Sequence, residues 1–130
     1  MLVKGHYSET FLLTHYKASW TSTKDIDVPV HYPGQLIADT DMEAAKDLAE
    51  AGKKVYNIDV IESDFTQLIE VAKKYNLKLN CGEYSCISIA PQEDRIRWYK
   101  DMYTLFERHG IARTNWDYRG GFAIVRRGEP

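Results

Sequence analysis

The side chain best suited to chemistry in this sequence stands where an apolar segment ends. Glu83 closely follows the apolar residues that begin at Leu77. Strand alternation predicts that Cys81 and Glu83 point to one face and Gly82 to the other. Because β/α folds keep their active sites at the carboxyl ends of parallel strands, Glu83 is a candidate catalytic carboxylate. A glutamate in such a place is more often the first solvated residue of a loop, so the pattern alone does not assign catalysis.

Two further segment ends carry polar and aromatic side chains. His6 follows an apolar start and precedes an aromatic stretch that reaches Trp20, and Trp116 stands within residues 115–122. A single histidine at a strand end is usually a structural hydrogen-bonding residue, and most tryptophans in such places belong to the core. The three segment ends are more informative together than singly.

The histidines and cysteines do not predict a metal site. The four histidines and two cysteines show no established zinc-ligand spacing. Cys81 and Cys86 lie on a strand and its exit, which would hold their sulfurs too far apart for a disulfide. We therefore expect two reduced thiols, no metal and no cofactor.

Length and composition indicate one globular domain over residues 1–130. The chain is 44% hydrophobic and 28% charged, with a net charge of -2, which gives no basic excess for nucleic acid or an anionic membrane. Its 12% of aromatic residues would suit a surface on which sugar rings stack. Neither a charged-then-apolar leader nor an apolar run of about 18 residues is present, so we expect no signal peptide and no membrane span, and localisation stays open.

Three helices are predicted from their ends. The first covers residues 41–51, between a capping box that starts at Thr40 and a stop at Gly52. The second covers residues 64–75 and ends at Asn76 in a left-handed conformation. The third follows Pro91 and closes at His109 and Gly110. The side chains predicted to face inward are Ala44, Ala45 and Leu48 in the first helix, Phe65, Leu68, Ile69 and Ala72 in the second, and Ile96, Tyr99, Met102, Tyr103 and Phe106 in the third.

Short apolar runs predict strands at residues 2–7, 77–84 and 114–125, while residues 54–60 are too mixed to decide. Strands that alternate with helices predict an α/β fold with a parallel sheet and helices packed outside it. Residues 10–39 are too long and too rich in aromatic residues for a simple connection. We interpret them as a functional loop.

Six segments along the chain match one protein family in order and spacing. They are residues 6–9, 14–20, 30–34, 82–84, 97–101 and 116–122. Together they resemble the C-terminal part of glycoside hydrolase family 5 cellulases. The resemblance implies a partial (β/α)8 TIM barrel that covers about strands 6 to 8 with their helices. It also implies retaining hydrolysis of β-1,4-glycosidic bonds in cellulose or a related β-glucan.

The resemblance also implies roles for individual residues. The family ends its sixth strand in His-x-Tyr, its seventh in Gly-Glu-Phe and its eighth in a tryptophan beneath the sugar. Glu83 would accordingly be the nucleophile, His6 a hydrogen-bonding partner of the nucleophile or the substrate, and Trp116 the sugar platform. A β-glucan oligosaccharide or polysaccharide is the expected partner, and family members are usually secreted. The other residues expected to bind substrate are Tyr84, Trp20, His15 and Tyr7.

Two departures from the family pattern concern the catalytic groups. The family's His-x-Tyr reads His6-Tyr7-Ser8, so Ser8 replaces a tyrosine that normally orients the nucleophile. The Asn-Glu-Pro motif that carries the family's acid/base is absent from this sequence. Glu9 and Asp117, which also stand at strand ends, are candidates for a substitute acid.

The sequence supports three hypotheses about function. Part of a barrel leaves sheet edges uncovered, so we expect a homo-oligomer or association with another barrel segment. The chain would then be an endo-acting glucanase, which loses turnover on Glu83→Gln. The alternatives are a non-catalytic β-glucan-binding remnant, whose binding survives that change, and an inert truncated fragment.

Overall fold

The computed structural model describes residues 2–6, 10–115 and 122. The strands are β1 (Leu2–His6), β2 (Gly34–Gln35), β3 (Val55–Tyr56), β4 (Lys78–Tyr84) and β5 (Ala112–Asn115). The helices are α1 (Phe11–Thr14), α2 (Met42–Ala45), α3 (Ala49–Gly52), α4 (Ile58–Lys74) and α5 (Gln92–His109), with 3₁₀ turns at Asp39–Asp41 and Lys46–Leu48.

The centre of the fold is a three-stranded sheet in the order β1-β4-β5. Both neighbouring pairs are parallel, and each connection between them contains a helix. This confirms the predicted α/β alternation. Strands β2 and β3 form a separate antiparallel pair, in which Gly34 pairs with Tyr56. The undecided residues 54–60 therefore contribute two strand residues and then the first turn of α4.

Helix α4 begins earlier than predicted, at Ile58 instead of residue 64. The Asn57 side chain caps it by accepting a hydrogen bond from the backbone N–H of Val60 at 2.9 Å, an interaction that contributes about 1 kcal/mol in helices. The predicted end is confirmed, because Asn76 has a left-handed φ of 51°. The prediction that Leu68 faces inward is wrong: it is 39% exposed, and the buried face is formed by Ile61, Ile69 and Ala72.

Helix α5 has the predicted ends and forms much of the core. It follows Pro91 and ends at Gly110, which has a φ of 62°. Its fully buried side chains are Trp98, Met102, Leu105 and Phe106. Ile96 was expected to face inward and is instead 48% exposed, because it lies on the opposite face of the helix.

The predicted helix at residues 41–51 is broken into α2, a 3₁₀ turn and α3. Of the predicted inward side chains only Ala45 is buried, at 8% exposure, so little packing supports a continuous helix. The predicted N-cap at Thr40 is wrong, because Thr40 lies inside the Asp39–Asp41 turn, whose N-cap is Ala38. Gly52 is the last residue of α3, and a Cβ there would lie 2.6 Å from Cδ1 of Ile37. The backbone N–H of Ile37 also donates to the Gly52 carbonyl at 2.9 Å.

Residues 10–39, which were predicted to form a functional loop, pack into the fold. Tyr32 is 1% exposed, and its hydroxyl donates to Asp101 of α5 at 2.7 Å. Arg97 Nε donates to the Tyr32 carbonyl at 2.8 Å, and Asp94 accepts from the Tyr32 backbone N–H at 2.8 Å. Helix α5 thus holds the middle of this segment by both backbone and side chain.

Two global predictions concern thiols and membranes. Cys81 and Cys86 are both thiols, as predicted, and both are buried. Within the described ranges, no helix combines the length and apolar character needed to cross a membrane.

Candidate active site

Glu83 lies at the carboxyl end of the parallel sheet, on an exposed part of β4. Its Cα pairs in register with that of His6 on β1, so the two predicted catalytic residues stand side by side on neighbouring strands. Parallel strands bring their carboxyl ends to one rim, which is where β/α folds form their sites. The predicted strand-end position of Glu83 is therefore confirmed.

An irregularity in β4 determines the direction of Glu83. Between Cys81 and Tyr84 the strand contains one more residue than β5 does between Arg113 and Asn115. Such bulges redirect side chains. Here Cys81 and Tyr84 are both buried while Glu83 is exposed. The expected pairing of Cys81 and Glu83 on one face is therefore wrong. Gly82 was the available signal, since a glycine inside a strand often marks a bulge.

His15 lies within electrostatic reach of Glu83. Burial lowers the pKa of His15 below its ordinary 6.5, and the charge of Glu83 opposes this effect without overcoming it. The ring stacks on Phe11 with centroids 4.3 Å apart, and its Nδ1 shares a hydrogen bond of 2.9 Å with the Thr14 hydroxyl. The imidazole is therefore neutral at neutral pH and fixed in orientation.

An aromatic surface extends from His15 to solvent; we define it as Phe11, His15, Trp20 and Phe122. The centroids of His15 and Phe122 are 5.3 Å apart, and those of Phe122 and Trp20 are 5.9 Å apart. Trp20 is 66% exposed. Phe122 thus contacts both His15 and Trp20, two residues predicted to bind substrate. Phe122 ends the 116–122 segment but was not itself predicted to bind substrate.

Hydrogen bonds link the exits of the three strands. Beyond β4, the backbone N–H of Cys86 donates to the Tyr99 hydroxyl at 3.0 Å, and this hydroxyl donates to Asn115 Oδ1 at the end of β5, also at 3.0 Å. The backbone N–H of Ile87 donates to the Thr14 carbonyl beyond β1 at 2.9 Å. No sequence signal pointed to these contacts, because they join residues far apart in the chain.

Tyr84 was predicted to bind substrate, and the structure corrects this. Its ring is 2% exposed and packs against α5, with centroids 4.9 Å from Phe106 and 6.3 Å from Trp98. Burial, with a hydrogen bond to Tyr103, raises the pKa of its hydroxyl above the usual range. A side chain so enclosed cannot reach a sugar or the outward-facing Glu83.

Four predicted site residues lie outside the described residues; they are Tyr7, Glu9, Trp116 and Asp117. Among the residues that the structure does describe, no three His, Cys, Asp or Glu side chains come together in a way that could hold a metal ion.

Comparison with curated proteins finds cellulases. The chain is 31% identical over 119 residues to endoglucanase C of Acetivibrio thermocellus, covering 88% of this chain and 35% of that protein. It is 32% identical over 108 residues to cellodextrinase A of Ruminococcus flavefaciens, covering 83% and 26% of the two chains. The chain thus spans about a third or less of the length of these relatives. No model of a known protein family matches it.

Comparison with solved structures finds glycoside hydrolases with a similar fold. A crystal structure of a glycoside hydrolase superposes with a TM-score of 0.75 at 24% identity, over 100% of this chain and 35% of the other. A hyperthermophilic endo-β-1,4-glucanase in complex with substrate superposes with a TM-score of 0.70 at 27% identity, over 98% and 34%. In sequence and in structure, the chain therefore matches the carboxyl-terminal part of glycoside hydrolase family 5 cellulases, and its fold is that of part of a (β/α)8 barrel.

Proposed function

We propose that this chain supplies the nucleophile and part of the sugar-binding surface for retaining hydrolysis of β-1,4-glucan. The observation that carries the proposal is the exposed Glu83 at the carboxyl end of β4, within electrostatic reach of His15 in the aromatic surface. A carboxylate at the sheet rim, with aromatic rings next to it, combines a group that attacks a sugar with groups that hold one.

In the proposed reaction, the Glu83 carboxylate attacks the anomeric carbon and the bond to the leaving oxygen breaks. A second carboxyl, about 5–5.5 Å away in retaining enzymes, protonates that oxygen. Water then cleaves the glycosyl-enzyme ester and regenerates Glu83. Glu9 and Asp117 remain the candidate acids from this chain, and another barrel segment or a second copy is the alternative source.

His15 has a supporting role in this proposal. Because burial keeps its imidazole neutral at neutral pH, it can donate a hydrogen bond without adding a positive charge beside Glu83. His6, in register with Glu83 on β1, is the second proposed hydrogen-bonding partner of the nucleophile or the substrate.

The test is Glu83→Gln, which keeps the shape of the side chain and removes its nucleophilic charge. We expect turnover of carboxymethyl-cellulose and of a dinitrophenyl β-cellobioside to fall by at least about a thousandfold. The matched control is Glu50→Gln, an exposed glutamate on α3. Undiminished turnover in Glu83→Gln would contradict the proposal.

The two substrates separate the nucleophile from the acid. Dinitrophenol is a good leaving group that departs without protonation, whereas the alcohol of a glucan needs the acid. Cleavage of the aryl glycoside alone would show a working nucleophile without its acid. Cleavage of both substrates would show that the nucleophile and an acid are present. Light scattering on the same sample would then show whether the active species is a monomer or an oligomer.

A second candidate is non-catalytic binding of β-glucan, which the exposure of Trp20 favours. A tryptophan that is 66% exposed and set beside Phe122 can stack on a pyranose ring whether or not a bond is cut. Binding of cellohexaose that persists in Glu83→Gln, with no turnover in the unmodified protein, would support this candidate.

A further inference from the structure

We propose that Tyr99 is a positioning residue whose hydroxyl fixes the Glu83-bearing strand end against the end of β5. The inference rests on the proposed function, because it assigns Tyr99 a role in the same reaction. Tyr99 lies on α5, where its ring packs against Trp98, Tyr84 and Tyr103.

The geometry places one hydroxyl between two strand exits. Tyr99 is 7% exposed, accepts from the Cys86 backbone N–H and donates to Asn115 Oδ1, both at 3.0 Å. Cys86 comes three residues after Glu83, and Asn115 immediately precedes Trp116. A displacement of either exit would therefore move the proposed nucleophile relative to the end of β5.

Further contacts fix the Tyr99 side chain and connect its hydrogen bonds to neighbouring residues. Arg95 lies over the Tyr99 ring at 5.1 Å, and its Nε donates to the Cys86 carbonyl at 3.0 Å. Asn115 Nδ2 donates to the carbonyl of Phe122 at 3.4 Å, which connects the same bridge to the aromatic surface. Both backbone polar groups of Cys86 are thus held by side chains of α5.

The bridge keeps its donor at every working pH. Burial raises the pKa of Tyr99 to about 12, so the hydroxyl remains protonated and continues to donate to Asn115. Replacing it with phenylalanine removes one partner from the buried Cys86 N–H and one from Asn115. A buried polar group that loses its hydrogen-bond partner moves until it reaches another partner. In this protein, such a movement would displace the strand exits that contain Cys86 and Asn115.

The experiment compares Tyr99→Phe with Tyr103→Phe. The two tyrosines lie one turn apart on α5, and Tyr103 shares a side-chain hydrogen bond with Tyr84. Each variant loses one hydroxyl, but only Tyr99→Phe breaks the bridge between the strand exits. On the dinitrophenyl β-cellobioside, we expect kcat to fall between about 10- and 100-fold in Tyr99→Phe, with KM nearly unchanged, and to stay close to that of the unmodified protein in Tyr103→Phe.

Amide hydrogen exchange gives a readout that does not need turnover. We expect the Cys86 amide to exchange at least about tenfold faster in Tyr99→Phe than in Tyr103→Phe, because its acceptor has been removed. Should Tyr99→Phe fail to fold, Asn115→Leu breaks the same bridge from its other end and should lower kcat in the same way.

The outcomes separate the two proposals. Equal kcat values in Tyr99→Phe, Tyr103→Phe and the unmodified protein would overturn the role of Tyr99 while leaving Glu83 as the proposed nucleophile. An unmodified protein without turnover would count against the proposed function, and the exchange rates would then decide the bridge: equal rates at Cys86 in the two variants would overturn it.

Discussion

Glu83 and Tyr84 are neighbours on β4, yet they belong to two different regions of the molecule. Tyr84 is 2% exposed within the aromatic core formed with α5, while Glu83 faces solvent at the rim, within electrostatic reach of His15 in the aromatic surface. In the core, aromatic rings such as those of Trp98 and Tyr99 pack against each other, whereas Trp20 at the rim is exposed to solvent. One strand thus contributes to the core on one side and carries the proposed nucleophile on the other. Substitutions should be able to change one property without the other.

The largest expected effect on stability is that of Trp98→Ala. Trp98 is 0% exposed, and its Nε1 donates to the buried Thr10 hydroxyl at 2.9 Å. The cavity and the lost hydrogen bond should lower the free energy of unfolding by about 3–5 kcal/mol. Guanidinium unfolding followed by circular dichroism measures this. Ile96→Ala, on the exposed side of the same helix, is the control and should cost less than about 1 kcal/mol.

Trp20→Ala should produce the opposite pattern. Because Trp20 is 66% exposed, its removal should leave the free energy of unfolding nearly unchanged. The affinity for cellohexaose, measured by calorimetry, should weaken by about 0.5–1.5 kcal/mol through loss of ring stacking. A variant Trp20→Phe should keep part of the affinity. Unchanged affinity in Trp20→Ala would remove Trp20 from the binding surface.

The smallest effect concerns a polar link between α4 and α5, away from both regions. Glu62 accepts hydrogen bonds from His109 at 2.8 Å and Arg108 at 2.6 Å, and these hold its pKa below the ordinary 4.5. A carboxyl group whose pKa is lower in the folded protein than in the unfolded chain stabilises the fold at pH values above the ordinary pKa. This stabilisation is lost as the pH falls through the lower pKa of the folded state.

Glu62→Gln should therefore be slightly less stable than the unmodified protein near neutral pH and should converge with it in acid. Thermal unfolding midpoints measured from about pH 6 down to about pH 3 would show the convergence. Glu70→Gln, exposed on the same helix, should show no such pH dependence. A constant difference between Glu62→Gln and the unmodified protein over the whole range would exclude ionisation of Glu62 as its cause.

Sequence reasoning was most successful where local chemistry determines the structure. Pro91 and Gly110 marked the ends of α5, and Asn76 marked the end of α4, because each residue has a backbone preference that its neighbours do not change. The start of α4 was missed although Asn57 is a good cap residue and Ile58 and Ile61 continue the apolar period. The neighbouring residues 54–60 contain enough β-formers to hide that signal.

The candidate site was only partly accessible from the sequence. Glu83 was identifiable because a strand end is a local feature, whereas the enclosure of Tyr84 depends on which face of β4 meets α5, and the bulge at Gly82 alters that relation. The links through Tyr99 and Phe122 depend on contacts across the fold. Periodicity carries no information about them.

The close contact between Gly52 and Ile37 has a consequence for how these two positions can change over time. A methyl group at position 52 would overlap the Ile37 side chain, with 2.6 Å between carbon atoms. Since Cγ1 and Cβ of Ile37 would also lie 2.8 and 2.9 Å from that methyl group, valine or alanine at position 37 would not remove the overlap. In diverged copies of this chain, glycine at position 52 should therefore persist even where residue 37 varies.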